Sequence, residues 1–287
     1  MISERFEPGH YYSVIPHITD SYNVTEAKFS NLDFNDNNHL SIINELENYL
    51  TDFDTNFGSS ERDIVSMYER KFELKYTLMN GWFEWMDSRL LYYFLQKNRP
   101  KKIIEIGSGN STLLTYNTKK MFNLELDIIC IEPYPNESLR MLALQEEITL
   151  IENKLEDVEI KMFEELGEND ILFIDSTHVA KLNSDVMYYF TQIFPILKSG
   201  VMVHIHDIFF PYDYPLDWLK RGMFWNEQYF LYVFLQFNSK FKIQFCCSYA
   251  AYKFKDQLEN IQKNWYELKN GITESVVGGG SIWLRVT

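Results

Sequence analysis

Short apolar runs alternate with helical segments from residue 101 to the end of the chain, and this alternation limits the fold more than any other feature of the sequence. The runs that we predict as strands are residues 101–106, 126–131, 148–151, 170–175, 201–206, 242–247 and 281–286. Strands that alternate with helices form a mainly parallel sheet with helices on both faces. We therefore expect an α/β, doubly wound domain.

The first hundred residues have a different character. They are rich in Asn, Asp, Ser and Tyr, and helical patterns cover residues 39–50 and 61–79. A stronger helical pattern runs through residues 87–98, where Asp87 or Ser88 is of a type that caps the start of a helix. This region is expected to be mostly helical.

The composition is that of a folded protein rather than a disordered one. Of the 287 residues, 46% are hydrophobic and 24% are charged, and the formal net charge is −14. A nucleic-acid partner would require a basic surface, which this charge argues against. The N-terminus has no apolar signal segment, and the most apolar helical stretch, residues 230–237, is too short to span a bilayer. We expect a cytoplasmic protein with no nucleic-acid and no membrane partner.

Glycines follow the first predicted strand in the segment IIEIGSGNSTLL. In an open α/β sheet the carboxyl ends of the strands bind ligands, and glycines there let the backbone approach a nucleotide-like ligand. A single G-x-G is weak evidence, because any tight turn from a strand to a helix favours glycine. The candidate cofactor contacts in this segment are Glu105, Gly107, Ser108, Gly109 and Ser111.

An acid closes the second predicted strand and specifies the ligand further. Glu132 can accept hydrogen bonds from both ribose hydroxyls of an adenosine ligand. The dinucleotide fingerprint G-x-G-x-x-G is incomplete, because Thr112 stands where its third glycine would be. A ligand that has ribose and adenine but no pyrophosphate does not need the third glycine in this turn. We therefore favour S-adenosylmethionine over NAD(P) as the cofactor.

Polar residues follow the fourth and fifth predicted strands, at the edge of the sheet that carries the glycine turn. Asp175 and His178 follow one strand, and His206 and Asp207 follow the other. Asp175, His206 and Asp207 could hold a divalent cation such as Mg²⁺ or Mn²⁺, or His178 or His206 could act directly as a general base. A third interpretation is that the acids cap turns and the histidines are only hydrogen-bonded. For His204, deeper in the strand, a core position is the better interpretation.

The domain organisation follows from these patterns. We predict a mostly helical extension over residues 1–99 and a cofactor-binding domain over residues 100–287. Residues 208–225 form a long loop rich in Phe, Tyr and Trp, which indicates a lid or an acceptor platform, or else packing over the end of the sheet. Residues 252–277 are an insertion before the last predicted strand.

Several segments together resemble a known family. The chain is similar to the class I S-adenosylmethionine-dependent methyltransferases, and more closely to a bacterial subfamily called the methyltransferase-24 type. The segments that carry the resemblance are IIEIGSGNST, IEPYP, DILFIDSTHVAKLNSDV, ILKSGVMVHIHDIFFPYDYP, WNEQY and GGSIWLR. Because GHYYSVIP near the N-terminus also matches, the resemblance covers nearly the whole chain.

The resemblance implies a Rossmann-like, seven-stranded, mainly parallel sheet whose last strand is antiparallel. The implied cofactor contacts are Glu105, Gly107 and Gly109, with Glu132 on the ribose. More distant relatives, the macrocin O-methyltransferase and cephalosporin hydroxylase-like enzymes, carry a metal on acids after strands four and five. The corresponding positions here are Asp175, His206 and Asp207, so a histidine stands where those relatives have an acid.

We therefore expect an O-methyltransferase that acts on a hydroxyl of a small molecule or a glycan. In-line transfer of a methyl group needs positioning of both reactants and removal of the hydroxyl proton. Asp175 and nearby tyrosines would favour the positive sulfonium of the cofactor. The alternatives are an NAD(P)-dependent oxidoreductase or epimerase and a non-catalytic binding protein that keeps the fold. The sequence also allows a homo-oligomer.

Overall fold

The structure, a computed structural model, describes residues 6–19, 22–50, 52–58, 74–78, 80–266 and 278–287. The strands of this part form one sheet: β1 Lys102–Ile106, β2 Asp127–Ile131, β3 Thr149–Ile151, β4 Ile171–Ile174, β5 Met202–Ile205, β6 Phe241–Cys246 and β7 Ile282–Val286. Each agrees with a strand predicted from the sequence to within one residue at either end.

The order of the strands across the sheet is β3-β2-β1-β4-β5-β7-β6. β1 to β5 pair in parallel, whereas β7 runs antiparallel to both of its neighbours, β5 and β6. The chain builds outward from β1 in one direction and from β4 in the other, so a topological switch point lies between them. The expected Rossmann-like sheet with an antiparallel last strand is confirmed, and β7 lies inside the sheet rather than at its edge.

Helices flank the sheet along the part of the chain that the structure describes. Before the sheet come α1 Asp36–Leu50, α2 Phe53–Phe57 and α3 Trp85–Asn98. Between β1 and β5 along the chain come α4 Asn110–Phe122, α5 Glu137–Leu144, α6 Lys161–Glu164, α7 Asp185–Tyr188, a π-helical turn Tyr189–Ile193 and α8 Phe194–Ile196. The later helices are α9 Leu216–Lys220, α10 Glu227–Gln236, α11 Cys247–Lys253 and α12 Lys255–Tyr266.

The central strands are aliphatic because helices cover both faces of the sheet. Ile103 and Ile104 in β1 and Ile171 and Leu172 in β4 are fully buried although successive side chains point to opposite faces. The apolar side chains of the N-terminal helices join the same core, since α1 packs against α3 and β6. No described helix is both long enough and apolar enough to cross a membrane.

One predicted helix start is wrong. α3 begins at Trp85 with Glu84 at its N-cap position, so neither Asp87 nor Ser88 caps it. The Asp87 carboxylate instead accepts a hydrogen bond from the backbone N–H of Gly280, 3.0 Å away and just before β7. The sequence pattern alone did not distinguish a helix cap from a buried acid that pairs with a residue far along the chain.

The remaining predicted segments are covered unevenly. The helical pattern at residues 39–50 is confirmed by α1, while most of the pattern at 61–79 lies outside the described residues. In the predicted insertion, α11 and α12 account for residues up to 266, and residues 267–277 lie outside the described part. The predicted loop at 208–225 is irregular except for the short helix α9.

Candidate functional site

A cavity of about 380 Å³ opens at the carboxyl ends of β1, β2 and β4. Its walls come from the turn after β1, the segment after β2, the 3₁₀ turn Leu155–Asp157 and the loop after β4. The lining includes Gly107, Glu132 and Asp175 from the residues predicted to contact a cofactor. This size and position are usual for a small-molecule site in a doubly wound fold.

Gly107 brings the turn after β1 against the end of β4. Its φ is +77°, and a Cβ atom at this position would lie 1.8 Å from the carbonyl oxygen of Asp175. No side chain fits at that distance, so only glycine allows the two strand ends to meet. Gly109 is different, because a Cβ atom there would have no heavy atom within 4 Å.

Glu132 links the end of β2 to the glycine turn. Its Oε1 accepts a hydrogen bond from the backbone N–H of Tyr134 at 2.8 Å, and its Oε2 lies 3.4 Å from the N–H of Ser108. A carboxylate has about four acceptor positions. The half-buried Glu132 side chain on the cavity wall therefore has acceptor positions left for ligand hydroxyls.

Glu105, the first acid predicted to contact the cofactor, is placed differently. It is fully buried and is not part of the cavity lining. Its carboxylate accepts hydrogen bonds from the hydroxyls of Thr112 and Thr115 on α4. Burial raises its pKa to about 7, although the two threonine hydroxyls act in the opposite direction. Glu105 thus holds α4 against β1 behind the cavity.

The remaining residues of the predicted cofactor set lie in the turn and the start of α4. Ser111 is buried, and Ser108 and Gly109 are half-buried. Gly109 donates its backbone N–H to the hydroxyl of Thr112 at 3.1 Å. Thr112, the residue in place of a third glycine, therefore binds the turn itself.

Four side chains meet next to the cavity, on the side where Asp175 forms part of its wall. We call them the acid–imidazole cluster: Asp175, His178, His206 and Asp207. His178 Nε2 lies 3.4 Å from Asp175 Oδ1 and 3.3 Å from Asp207 Oδ2. His206 Nδ1 lies 3.5 Å from both Asp175 Oδ1 and Asp207 Oδ1. These are ion-pair distances, longer than ordinary hydrogen bonds. The structure brings together all four residues that the sequence predicted to act at this edge.

The carboxylates of the cluster are more accessible than the imidazoles. The Asp175 and Asp207 side chains are 33% and 13% exposed, against 6% for His178 and 8% for His206. Asp175 also lines the cavity. A ligand would therefore meet the carboxylates first, with the histidines behind them.

Two members of the cluster sit on unusual backbone. His178 has φ +58° and Asp207 has φ +57°, in the left-handed region that residues other than glycine rarely adopt. Such conformations cost about 1–3 kcal/mol each and concentrate at functional sites. The turns after β4 and β5 are therefore held by their surroundings rather than by local preference.

Two further acids, Asp87 and Glu227, reach the histidines of the cluster. Asp87 Oδ2 lies 3.6 Å from His206 Nε2, and the same carboxylate accepts from Gly280 N–H and the Ser281 hydroxyl. Glu227, at the start of α10, lies 2.7 Å from His178 Nδ1. Each histidine thus has an acid on either side.

The charges of these groups stabilise one another. Burial alone would lower the pKa of His178, but hydrogen bonds with Asp175 and Glu227 raise it to about 10. Burial likewise opposes charge on His206, yet Asp207 and Asp175 raise its pKa well above the usual value. Burial alone would raise the pKa of Asp175, but the imidazoles of His206 and His178 hold it below its usual range.

The same group has the donor set of a cation site. Asp175, His178 and Asp207 each offer a ligand atom within 4.8 Å of the others. The sequence predicted His206 in place of His178, and the structure places His206 against the same two carboxylates. Two carboxylates with imidazole nitrogen suit Mn²⁺ or a related transition metal better than Mg²⁺.

Comparisons with known proteins agree with this geometry. A protein-family model described as a methyltransferase domain matches residues 104–208, which span the glycine turn, Glu132 and the acid–imidazole cluster. A protein of Archaeoglobus fulgidus, described as uncharacterized, is 31% identical over 180 residues, which make up 59% of this chain and 77% of the relative. The chain belongs to this methyltransferase family. The sequence-based identification as a class I S-adenosylmethionine-dependent methyltransferase is confirmed.

Two solved methyltransferase structures show a partial similarity to this chain, both with TM-scores below 0.5. An S-adenosylhomocysteine-bound methyltransferase of Podospora anserina, PaMTH1, has a TM-score of 0.45 and 15% identity, over 90% of this chain and 99% of that one. The plantazolicin methyltransferase BpumL, in complex with a triazolic desmethylPZN analog and S-adenosylhomocysteine, has a TM-score of 0.41 and 16% identity, over 86% and 99%.

An aromatic wall adjoins the acid–imidazole cluster of the methyltransferase. The Trp225 ring lies over His178 with their centroids 4.3 Å apart. Trp218 meets Trp225 edge-on at 4.9 Å, and Phe209 meets Trp218 in the same way at 5.2 Å. All three rings belong to the predicted aromatic loop and are half-buried.

His204 has the core position that its sequence context predicted. It is fully buried, and its ring stacks on Phe173 with centroids 3.9 Å apart. Burial and the neighbouring His206 lower its pKa to about 3, so it is neutral at physiological pH.

Sequence reasoning missed Asp87 and Glu227 as members of this methyltransferase site. Both acids occur in helices that are otherwise largely apolar, and an acid there that becomes fully buried needs a partner. An acid within an apolar helix was the signal in the sequence, but it does not identify the group with which the acid pairs. The partner of Glu227 is 49 residues away along the chain.

Proposed function

We propose that this methyltransferase transfers the methyl group of S-adenosylmethionine to a hydroxyl oxygen of a small-molecule or glycan acceptor. The observation that supports this most strongly is the position of Asp175. It forms part of the cavity wall and is also a member of the acid–imidazole cluster. A methyl donor in the cavity and a hydroxyl at the cluster would therefore meet at one carboxylate.

The cavity fits the cofactor by its size and by the chemistry of its walls. Its volume of about 380 Å³ lies within the range of small-molecule pockets. We assign the ribose hydroxyls to Glu132, whose carboxylate retains free acceptor positions. Gly107 adds no side chain to the cavity wall where the ends of β1 and β4 meet.

The positive sulfonium of the cofactor would be placed near Asp175. Because the two imidazoles keep the pKa of this acid low, it carries its negative charge at neutral pH. An ionised carboxylate next to a sulfonium stabilises the bound cofactor through charge attraction. Asp175 therefore serves the cofactor, and its other neighbours serve the acceptor.

The acceptor hydroxyl would lie at Asp207, on the adjacent strand end. As the oxygen forms its bond to the methyl carbon, the carbon–sulfur bond breaks and the hydroxyl proton passes to a carboxylate oxygen of Asp207. His178 and His206, both with raised pKa values, are protonated at neutral pH in this arrangement. They hold Asp175 ionised and both carboxylates in place, which differs from the general-base role that the sequence left open for them.

The residues also fit a divalent cation. Four carboxylates surround the two imidazoles: Asp87, Asp175, Asp207 and Glu227. Asp175, His178 and Asp207 would be the ligands, with His178 giving up its Nε2 proton as the cation binds. A cation bound there would orient the acceptor hydroxyl and lower its pKa.

The aromatic loop (residues 208–225) would form the wall against which the acceptor lies. Phe209, Trp218 and Trp225 present half-buried rings beside Asp207 and His178. Such rings exclude water and bind the flat faces of aromatic or sugar rings. A small ring-bearing acceptor is consistent with this wall.

Release of S-adenosylhomocysteine tests the proposed function directly. The purified chain is incubated with S-adenosylmethionine and a panel of phenols, catechols, glycosides, amines and thiols, with Mn²⁺, with Mg²⁺ or with EDTA. We expect product with at least one hydroxylated acceptor, and loss of product in Asp207→Asn. Glu168→Gln, which removes an exposed ion pair with Arg285, is the matched control and should retain the activity. Transfer only to nitrogen or sulfur acceptors would contradict the proposal.

A further inference from the structure

The start of α10 holds both loops that carry the acid–imidazole cluster. Asn226 Oδ1 accepts a hydrogen bond from the backbone N–H of Ala180 at 2.6 Å, and the backbone N–H of Asn226 donates to the carbonyl of His178 at 3.1 Å. Gln228 Oε1 accepts from the backbone N–H of Phe209 at 3.1 Å. Residues 226–229 therefore join the loop after β4 to the loop after β5.

Glu227 is the member of this segment that contacts the cluster itself. It is fully buried, and it is not part of the cavity lining. One carboxylate oxygen, Oε2, lies 2.7 Å from His178 Nδ1, and the other, Oε1, accepts from the hydroxyl of Tyr189. Both oxygens are thus used inside the protein, and a carboxylate buried in this way is stable only because it is paired.

The contact decides which nitrogen of His178 faces the reactive carboxylates. A carboxylate accepts hydrogen bonds and donates none when ionised, so the proton between the two groups belongs to Nδ1 of the imidazole. The ring is then oriented with Nε2 toward Asp175 and Asp207, 3.4 and 3.3 Å away. A hydrogen bond at one ring nitrogen commonly sets the role of the other.

The backbone around His178 needs such support. Its φ of +58° is unfavourable for a residue with a Cβ atom, and the loop is retained by bonds from the neighbouring Asn226. Tyr189 reaches Glu227 from a π-helical turn, a feature that is often found at functional sites. The Tyr189 hydroxyl fixes the far end of the carboxylate, so the arrangement has one defined orientation.

We propose that Glu227 is a positioning residue that orients His178 Nε2 toward Asp175 and Asp207, with Tyr189 holding Glu227 in turn. The proposal deepens the proposed function, since it rests on the cluster being the place where the acceptor binds. Glu227 itself touches neither the cavity nor the acceptor. Its effect passes through the ring of His178.

The hydrogen bond can be observed by NMR without cofactor or acceptor. A buried imidazole N–H held by a carboxylate gives a far-downfield proton resonance that exchanges slowly with water. With ¹⁵N-labelled histidine and only six histidines in the chain, the resonance can be assigned through its absence in His178→Asn. We expect the resonance in the wild type, its loss in Glu227→Ala, and an upfield shift in Glu227→Gln, which keeps the shape but removes the charge.

Matched variants separate positioning from a general structural role. Tyr189→Phe removes only the hydroxyl that holds Glu227 and should shift the resonance slightly. Tyr229→Phe removes a hydroxyl two residues from Glu227 that bonds Asp213 at 2.5 Å, and should leave the resonance unchanged. If Glu227→Ala does not fold, Glu227→Gln carries the test alone.

Binding of Mn²⁺ and of S-adenosylhomocysteine gives the functional readout. Loss of a residue that orients a metal-facing histidine typically weakens metal affinity by about 10- to 100-fold. We expect that loss in Glu227→Ala, a smaller one in Glu227→Gln, and affinity for S-adenosylhomocysteine within about twofold of wild type. A resonance unaffected by either Glu227 variant would overturn the proposal, as would equal losses for both ligands in a folded variant. If the wild type binds neither ligand, the proposed function fails while the resonance still decides the role of Glu227.

Discussion

The glycine turn and the acid–imidazole cluster lie at the same edge of the sheet, yet they are built in different ways. The glycine turn consists of consecutive residues after β1, closed by Glu132 at the end of the neighbouring strand. The cluster draws on the loops after β4 and β5, with Asp87 and Glu227 supplied by two helices that are distant in sequence. The first is a local motif, whereas the second is a product of the whole fold.

Because of this difference, substitutions should affect the glycine turn and the acid–imidazole cluster in different ways. The turn depends on backbone geometry at one glycine, so a single methyl group disturbs it. The cluster depends on many paired charges, so its parts can be changed one at a time with separable effects.

Gly107→Ala should be the most damaging single change. The new Cβ atom would lie 1.8 Å from the Asp175 carbonyl at a φ of +77°, so the ends of β1 and β4 must separate. We expect a loss in the free energy of unfolding on the order of 4 kcal/mol, measured by urea denaturation. Gly109→Ala, with open space around it, should cost about 1 kcal/mol or less. Equal losses in the two variants would show that the close approach is not what the turn requires.

Glu105→Gln should change how stability depends on pH. The folded-state pKa of about 7 lies above the ordinary glutamate value of about 4.5. Between these values only the unfolded state ionises, so the wild-type free energy of unfolding should fall as pH rises from 4.5 to 7 and stay level above.

Glutamine resembles the protonated acid, so the variant should lose this part of the pH dependence. At pH 8 it should be more stable than the wild type by up to about 3 kcal/mol. Thermal unfolding across this pH range measures the effect. A variant that is less stable than the wild type at every pH would mean that the carboxyl group itself is needed for the contacts with Thr112 and Thr115.

Two variants should show that the cofactor cavity and the acid–imidazole cluster bind their ligands independently. Glu132→Ala should weaken S-adenosylhomocysteine binding by about 10- to 100-fold, because hydrogen bonds to a charged group contribute about 1.5–3 kcal/mol. It should leave Mn²⁺ binding unchanged. Asp207→Asn should do the reverse, with Mn²⁺ affinity at least about tenfold weaker. Calorimetric titration of both ligands into both variants gives the comparison, and parallel losses in each variant would mean that the halves act as one site.

Tyr22→Phe should produce the smallest effect and should act on the aromatic loop. The Tyr22 hydroxyl donates to Asp213 Oδ2 at 2.6 Å, which ties the N-terminal segment to residues 208–225. Loss of this bond should cost about 1 kcal/mol and speed hydrogen exchange of the loop amides. Tyr116→Phe on α4 is the control. Unchanged exchange in Tyr22→Phe would show that other contacts hold the loop.

The sequence predicted the sheet well because each strand has its own local pattern. Seven apolar runs of the right length correspond to the seven strands. The glycine turn and Glu132 could be identified because each directly follows a predicted strand. Asp175, His178, His206 and Asp207 could be placed at one edge, because parallel strands end on the same side of a sheet. These inferences required only the period of the pattern and the order of the elements.

The remaining features depend on contacts that no local pattern encodes. Glu105 was expected at the cofactor, but its side chain points to the threonines of α4. Asp87 was interpreted as a helix cap, although its partners lie 193 and 194 residues further along the chain. In each case the residue type was informative, while the partner was decided by tertiary packing.

Calorimetric titration of the wild-type chain with S-adenosylhomocysteine, S-adenosylmethionine and NAD⁺ decides whether the cavity is an S-adenosylmethionine site. We expect both S-adenosyl ligands to bind at one site and NAD⁺ not to bind, because the cavity offers Glu132 for a ribose but an incomplete pyrophosphate turn. Binding of NAD⁺ without binding of either S-adenosyl ligand would contradict it.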